Sequence, residues 1–497
     1  MANLSSNNYI LAIDQSTSGT KAMLFNQNGE MIQRCDLPHK QYINEIGWVE
    51  HDPEEIFQNV ISVVELAVDK SGIDKNCIKG IGISNQRETA VVWDRETGAP
   101  VYNAIVWQCA RGENICNRIQ AREGQSDKIK KTTGLHLSPY FTASKIAWVL
   151  ENVDECKKNS LCAGTIDSWL LFKLAGVFRT DYSNASRTQL LDLETLCWSE
   201  EVCSIFGIDV SLLPEICDSN ACFGYTDING YLDNPIPIYG VLGDSNGALF
   251  GQGCHRKGMM KATYGTGSSI MMNIGEKPII NSSGIVTSIA WSLDGKVEYV
   301  LEGNINYTGA VTKWIVDDLG LIESPKLSSQ YAKEANPDDQ TYLVPAFSGL
   351  GAPYWDSEAR AVLCGMSRTT GKAEIVKAAS ECIAYQIFDI VKEMCEASNI
   401  PAKSLYVDGG ATKDIYLMQF QSDILGLPVL VSQFEELSGI GAAYMAGIAL
   451  GLFEQSELFS RNERKQFSPT MEEDKLLKKI SGWKSAVQMV LKNHLSS

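Results

Sequence analysis

Basic charge is scarce in this chain: 43 Lys and Arg stand against 60 Asp and Glu over 497 residues, a formal net charge of −17. Phosphate-backbone binding would work against that field, which argues against a nucleic-acid partner. A small anion is still admissible, because it feels local groups and bound metal more than net charge. No Cys-x-x-Cys occurs among the 14 cysteines, and the tightest spacings, Cys217 to Cys222, Cys156 to Cys162 and Cys197 to Cys203, fit no zinc pattern. Histidine is rare too: His39, His136, His255 and His494 lack partner spacing for metal or nucleophilic chemistry, and His51 precedes a helix cap. No basic, apolar leader opens the chain, so the expected compartment is the cytoplasm, with reduced and mostly buried thiols. The longest apolar stretch, residues 437–453, contains four glycines. It is too short and too glycine-rich to span a membrane, and is expected as a helix buried against a sheet.

What is present is an ordinary globular composition, 44% hydrophobic and 21% charged, at a length that suggests roughly two to four domains. Residues 9–13 read as a strand ending at Asp14, followed by a Gln15-Ser16-Thr17-Ser18-Gly19-Thr20 loop and a strand at 21–25. Asn28-Gly29 signals a hairpin before a third strand at 30–35. Asp52-Pro53-Glu54-Glu55 opens a helix, with a cap, a proline in the first turn and acids at the positive end. A strand at 78–84 completes an α/β signature. A similar opening recurs mid-chain. Residues 238–242 form a strand ending in Gly243-Asp244, and a strand at 259–263 enters Tyr264-Gly265-Thr266-Gly267-Ser268. Two halves, 1–250 and 251–497, are therefore expected, with a long helix at 373–398 in the second.

Paired Ser/Thr/Gly loops near strand-end acids suit a nucleoside triphosphate: backbone N–H groups approach phosphate oxygens and a carboxylate holds Mg²⁺. Neither loop is a Walker A or a dinucleotide fingerprint. A third glycine turn, Val407-Asp408-Gly409-Gly410-Ala411, also follows a strand. Arg87-Glu88, at the end of a strand, offers a forked donor beside an acceptor, which a polyhydroxy ligand requires. Ser245 has no Gly-x-Ser-x-Gly elbow and is not a nucleophile.

With these segments the chain resembles the glycerol-kinase-type members of the FGGY carbohydrate kinases. The matching residues are Ile13-Asp14-Gln15, GWVEHDP at 47–53, NQRET at 85–89, NAIVWQC at 103–109, YFTASKIAWVLEN at 140–152, TDYSNASRT at 180–188, TYGTG at 263–267, SGLGAPYWD at 348–356 and DGGA at 408–411. The resemblance implies two ribonuclease-H-like domains of the actin and hexokinase type closing over a cleft, and ATP-dependent phosphorylation of a small polyol or sugar, with a homo-oligomer possible. By resemblance, Asp244 is the catalytic base; Asp14, with Asp244, holds Mg²⁺; Thr17, Ser18 and Lys21 handle the terminal phosphates. Thr266, Gly309 and Gly410 match nucleotide contacts, with Ala411 and Asp414 beside the adenine. Arg87, Glu88, Trp107 and Tyr140 match the polyol wall.

The sequence also departs from that pattern. Lys21 stands where Arg is usual and Ser16 where Gly is. Ser245 replaces an amide, Ser269 a phenylalanine, and Asn304 and Asn306 stand in place of small or apolar residues. A roomier, wetter pocket follows, and a four- or five-carbon polyol or ketose is the expected substrate. Ordinary glycerol phosphorylation and a non-catalytic nucleotide or sugar sensor are the alternatives. The segment 227–235 carries one glycine and no arginine, unlike the loop through which some members bind a sugar bisphosphate.

Overall fold

Two sheets organise the molecule, whose computed structural model describes residues 8–157, 160–280, 284–460 and 463–492; His494 and residues 1–7 lie outside the described residues. The first contains β1 (Tyr9–Gln15), β2 (Gly19–Phe25), β3 (Met31–Pro38), β4 (Ile78–Asn85), β5 (Gly224–Thr226) and β6 (Ile236–Gly243), in the order β5-β6-β4-β1-β2-β3. β1, β2 and β3 are antiparallel neighbours, whereas β4 pairs parallel with β1 and with β6. Asn28-Gly29 makes the expected turn between β2 and β3, with Gly29 at φ 75°, a conformation glycine adopts without steric penalty. Helix α1 (Pro53–Ser71) begins where the sequence predicts, because Asp52 accepts a hydrogen bond from the Glu54 N–H at 2.9 Å.

The second sheet contains β7 (Met260–Tyr264), β8 (Ser268–Gly275), β9 (Val286–Leu293), β10 (Lys296–Ile305), β11 (Leu405–Gly409), β12 (Val429–Ser432) and β13 (Arg464–Phe467). Their order is β9-β10-β8-β7-β11-β12-β13. The run β10-β8-β7-β11-β12 repeats β3-β2-β1-β4-β6: three antiparallel strands, then two parallel ones. The mid-chain recurrence seen in sequence is thus a repeat of topology, and the fold is mixed α/β with two lobes. Around the sheets lie α2 (Thr142–Asn152), α4 (Lys372–Ser398) and α5 (Ile415–Leu425); α4 buries Ile383, Ile387 and Ile390 on its inner face. In parallel pairs the carboxyl ends of strands are where ligands bind. Asp14 lies at one such end and Arg87 and Asp244 follow two others in the first lobe, and Gly265 and Gly410 follow two in the second.

Helices α3 (Asp244–Gly251) and α6 (Leu437–Ala449) cross between the lobes. Although α6 comes late in the chain, it packs on β1, β4 and β6 of the first sheet as well as on α3. The crossing is close enough that a Cβ on Gly441 would lie 1.9 Å from the Gly247 carbonyl oxygen, and one on Gly82 2.3 Å from that of Ala442. Glycine is required at both. The expected buried helix over 437–453 therefore exists, but it stops at Ala449: Gly451 takes φ 68°, and the N–H groups of Leu452 and Phe453 turn back onto the Gly447 carbonyl. One apolar cluster joins both lobes through Met23, Phe25, Leu242, Trp291, Val300 and Tyr444. The cysteines are free, but seven rather than most are buried, six are half-buried and Cys197 is exposed. Cys217 and Cys364 illustrate the reason: each lies on a three-residue strand in a two-stranded sheet, with little structure to cover it.

Candidate active site

Strand pairing builds the floor of the site. Asp14 is next to last on β1 and lies opposite Lys21 across the β1–β2 hairpin, which brings the ammonium to 3.5 Å from Asp14 Oδ2. Glu436, just before α6, takes Lys21 at 2.6 Å with one oxygen and Arg34 at 2.7 Å with the other. The second oxygen of Asp14, Oδ1, is buried without a hydrogen-bond partner. Burial raises the Asp14 carboxyl above its ordinary range, with Lys21 opposing that shift. Asp244 opens α3, and its side chain is 37% exposed with Oδ1 3.4 Å from Arg87 Nε. Its preceding Gly243 N–H is tied to Ser183 Oγ at 3.0 Å. A Cβ on Gly243 would meet the Arg87 side chain at 2.5 Å, so glycine is what lets the arginine pass. The enclosed surroundings push the Asp244 carboxyl up; Arg87 draws it down and Asp14 pushes it up again.

The Arg87–Glu88 pair is not a solvated dipeptide but a buried one. Glu88 holds φ 61°, a left-handed conformation that costs a non-glycine residue about 1–3 kcal/mol and is concentrated at functional sites. Arg87 forks onto Glu302 of β10 at 2.6 and 2.9 Å, and Arg187 bridges Glu88 at 2.5 Å and Glu302 at 3.1 Å. Burial alone would raise Glu302, but the two arginines bring it down to about 2. Trp107 packs edge-on to Tyr140 at 5.5 Å and donates its indole N–H to Thr17 Oγ1 at 2.9 Å. The loop carrying Tyr140 is pinned by Lys145 of α2, which is fully buried and donates to the carbonyls of Pro139, Tyr140 and Phe141. Burial pulls that ammonium down to about 7. Thr17 is half-buried and Ser18 exposed, in a loop closed by the Ser16 N–H on the Gly19 carbonyl.

The second lobe supplies the other loops. Gly265-Thr266-Gly267 joins β7 to β8, and its carbonyls accept from the N–H groups of Thr308, Gly309 and Ala310. A Cβ on Gly309 would lie 2.9 Å from the Gly265 carbonyl oxygen. Gly409 adopts φ 97° against the Tyr264 backbone, while Gly410 has open space before it. Ala411 follows in a single 3-10 turn, and the Asp414 carboxylate caps α5 by accepting from the Leu417 N–H at 3.0 Å. Ser269 and Asn304 face one another across β8 and β10, on the face that carries Glu302 two residues away. Ser269 Oγ is buried without a partner. Asn306 lies further along and is exposed, and Ser245 stands on the opposite lobe beside Asp244.

Sequence reasoning alone did not find Glu302, Arg187, Lys145 or Glu436. A charged residue within the apolar run Tyr299-Val300-Leu301-Glu302-Gly303 was the available signal, since a buried strand admits a carboxylate only with partners. His39 and His51 do not form a metal pair; their rings pack edge-on at 4.4 Å. Among the described residues no cluster of three or more His, Cys, Asp or Glu side chains could hold a metal, and no helix is long and apolar enough to cross a membrane. The two carboxylates at the floor, one with an unpartnered buried oxygen, fit Mg²⁺, which takes one or two carboxylates and fills its octahedron with phosphate oxygens and water.

Comparisons with known proteins bear on the chain as a whole. Residues 9–251 match the N-terminal domain, and residues 260–450 the C-terminal domain, of the FGGY family of carbohydrate kinases. Glycerol kinase 1 of Thermotoga maritima is 47% identical over 491 residues, covering 97% of this chain and 99% of the relative. The glycerol kinase of Bacillus subtilis is 43% identical over the same shares. Plasmodium falciparum glycerol kinase, solved with ADP, superposes with a TM-score of 0.91 at 37% identity, covering 98% of each chain. Xylulose kinase from Lactobacillus acidophilus shares the fold at a TM-score of 0.89 and 23% identity, covering 98% of this chain and 99% of its own.

Proposed function

The chain belongs to the FGGY family of carbohydrate kinases, and from that membership we propose that it phosphorylates a terminal hydroxyl of glycerol with ATP. The observation that carries the substrate is the likeness to glycerol kinases along nearly the whole chain, which favours glycerol over the longer polyol or ketose expected from sequence. Asp244 takes the proton of the attacking hydroxyl as that oxygen reaches the γ-phosphorus in line. Arg87 and Glu88 hold the remaining hydroxyls, one donating and one accepting, and Trp107 and Tyr140 cover the carbon side. Lys21, Thr17 and Ser18 meet the terminal phosphates, Thr266 and Gly309 the nucleotide, and Gly410 and Ala411 the adenosine end. Asp414 acts there through the turn it caps. Asp14 and Asp244 would hold Mg²⁺, which when bound neutralises phosphate charge. On this reading residues 1–250 carry the polyol wall, the first phosphate loop and the base, and 251–497 the second loop and the adenosine site.

A second reading keeps the four- or five-carbon substrate. It is supported by the buried, unpartnered hydroxyl of Ser269 beside Asn304, which an additional substrate hydroxyl would satisfy. ADP release measured over glycerol, erythritol, threitol, xylitol and xylulose separates the readings. Glycerol is expected to lead in kcat/KM by about a hundredfold, the discrimination of a fitted pocket. Erythritol or xylitol in the lead would establish the second reading, and ADP release that no polyol stimulates would defeat both.

A further inference from the structure

Five charged side chains alternate in sign through the wall: Asp244, Arg87, Glu302, Arg187, Glu88. The successive contacts are 3.4, 2.6, 3.1 and 2.5 Å, and every member but Asp244 is buried. Four of the five come from the first lobe; Glu302 alone reaches in from the second sheet. The Arg87 guanidinium is committed on its two terminal nitrogens, both to Glu302 and one also to Asn246 Oδ1 at 3.2 Å. Its Nε is left facing Asp244 and, at 4.0 Å, Glu88. A bidentate fork fixes the plane of a guanidinium as well as its distance. With Glu302 removed, Arg87 keeps its charge but loses the restraint that aims Nε at Asp244. Arg187 has the complementary task, since without it the Glu88 and Glu302 carboxylates would compete for one arginine.

We propose that Glu302 and Arg187 are positioning residues for the substrate: Glu302 aims Arg87, Arg187 sets the Glu88 carboxylate, and the polyol wall is complete only when the second sheet is seated against the first lobe. The proposal rests on the polyol-kinase reading above. It implies that substrate affinity, unlike nucleotide affinity, depends on a carboxylate that touches no substrate atom.

The test uses the full-length protein with Glu302→Gln, which keeps the shape and removes the charge, and the double variant Glu302→Gln/Arg187→Gln, which restores the charge balance of the buried network. KM for the preferred polyol and KM for ATP are measured separately, with ATP binding followed by calorimetry. The expected result is a rise in polyol KM of about tenfold or more, the scale of a lost oriented polar contact, while KM and binding for ATP stay within about twofold. Unchanged polyol KM in either folded variant overturns the proposal, as does a parallel loss of ATP binding. Failure of both variants to fold overturns it as well, in favour of a purely structural network. Should the wild-type protein phosphorylate no polyol, the underlying reading fails instead, a result obtained before any variant is made.

Discussion

Glu88 and Asp244 sit a few ångströms from the same guanidinium, yet their environments differ: Glu88 has one oxygen held between two arginines, whereas Asp244 has one arginine beside it and opens to the site. Only the second is free to exchange a proton with a ligand. Asp244→Asn is therefore expected to lower kcat by at least about a hundredfold, the scale of a lost general base, with ATP binding retained; substantial residual turnover would remove Asp244 from that role. Because its carboxyl is raised, first by its enclosed surroundings and then by the nearby Asp14 charge, with Arg87 opposing, the base is protonated at a higher pH than an ordinary aspartate. The acid limb of kcat/KM should accordingly fall off above the usual aspartate range, with activity lost as pH drops through it. A limb at or below about 3.9, the ordinary aspartate value, would contradict that. At this scale the strand-end acids were legible in sequence, because Asp14 and Asp244 each stop an apolar run locally. Glu302 was not, since its partner Arg87 lies 215 residues away and only the folded chain brings the two together.

Among the elements, the crossing of α3 and α6 depends most directly on individual atoms. Gly247, Gly251 and Gly441 line a contact in which backbone touches backbone, and a methyl group there has no side chain to displace. Gly441→Ala should destabilise the protein by about 1–3 kcal/mol or more, the range for overpacking a closed interior, read as a lower urea midpoint at unchanged slope. An unaltered midpoint would mean the helices can separate at no cost. Helix starts such as Asp52-Pro53 were legible because a cap is a local device. The identity of the sheet that α6 covers was not, because three glycines and an apolar run specify close packing without naming the partner.

For the molecule as a whole, the shared apolar cluster and the late helix lying on the early sheet tie the lobes into one folding unit. Equilibrium unfolding is expected to be a single transition with coincident far-ultraviolet and tryptophan signals; two separated transitions would show the lobes to be independent. The repetition of strand, loop and strand was readable along the chain, but the exchange of α6 between halves was not, as it depends on contacts more than 350 residues apart in sequence, such as Gly82 with Ala442.

The fourteen free thiols give this unity a chemical consequence. Burial pushes Cys203 and Cys254 up to about 12 and Cys116 to about 11, and since the thiolate is the nucleophile, these sulfurs are silent while the fold is closed. Cys197 stands outside. The molecule thus carries its own alkylation clock, with Cys197 open from the start, the six half-buried sulfurs shielded in part, and the buried ones unmasked only as the fold itself opens.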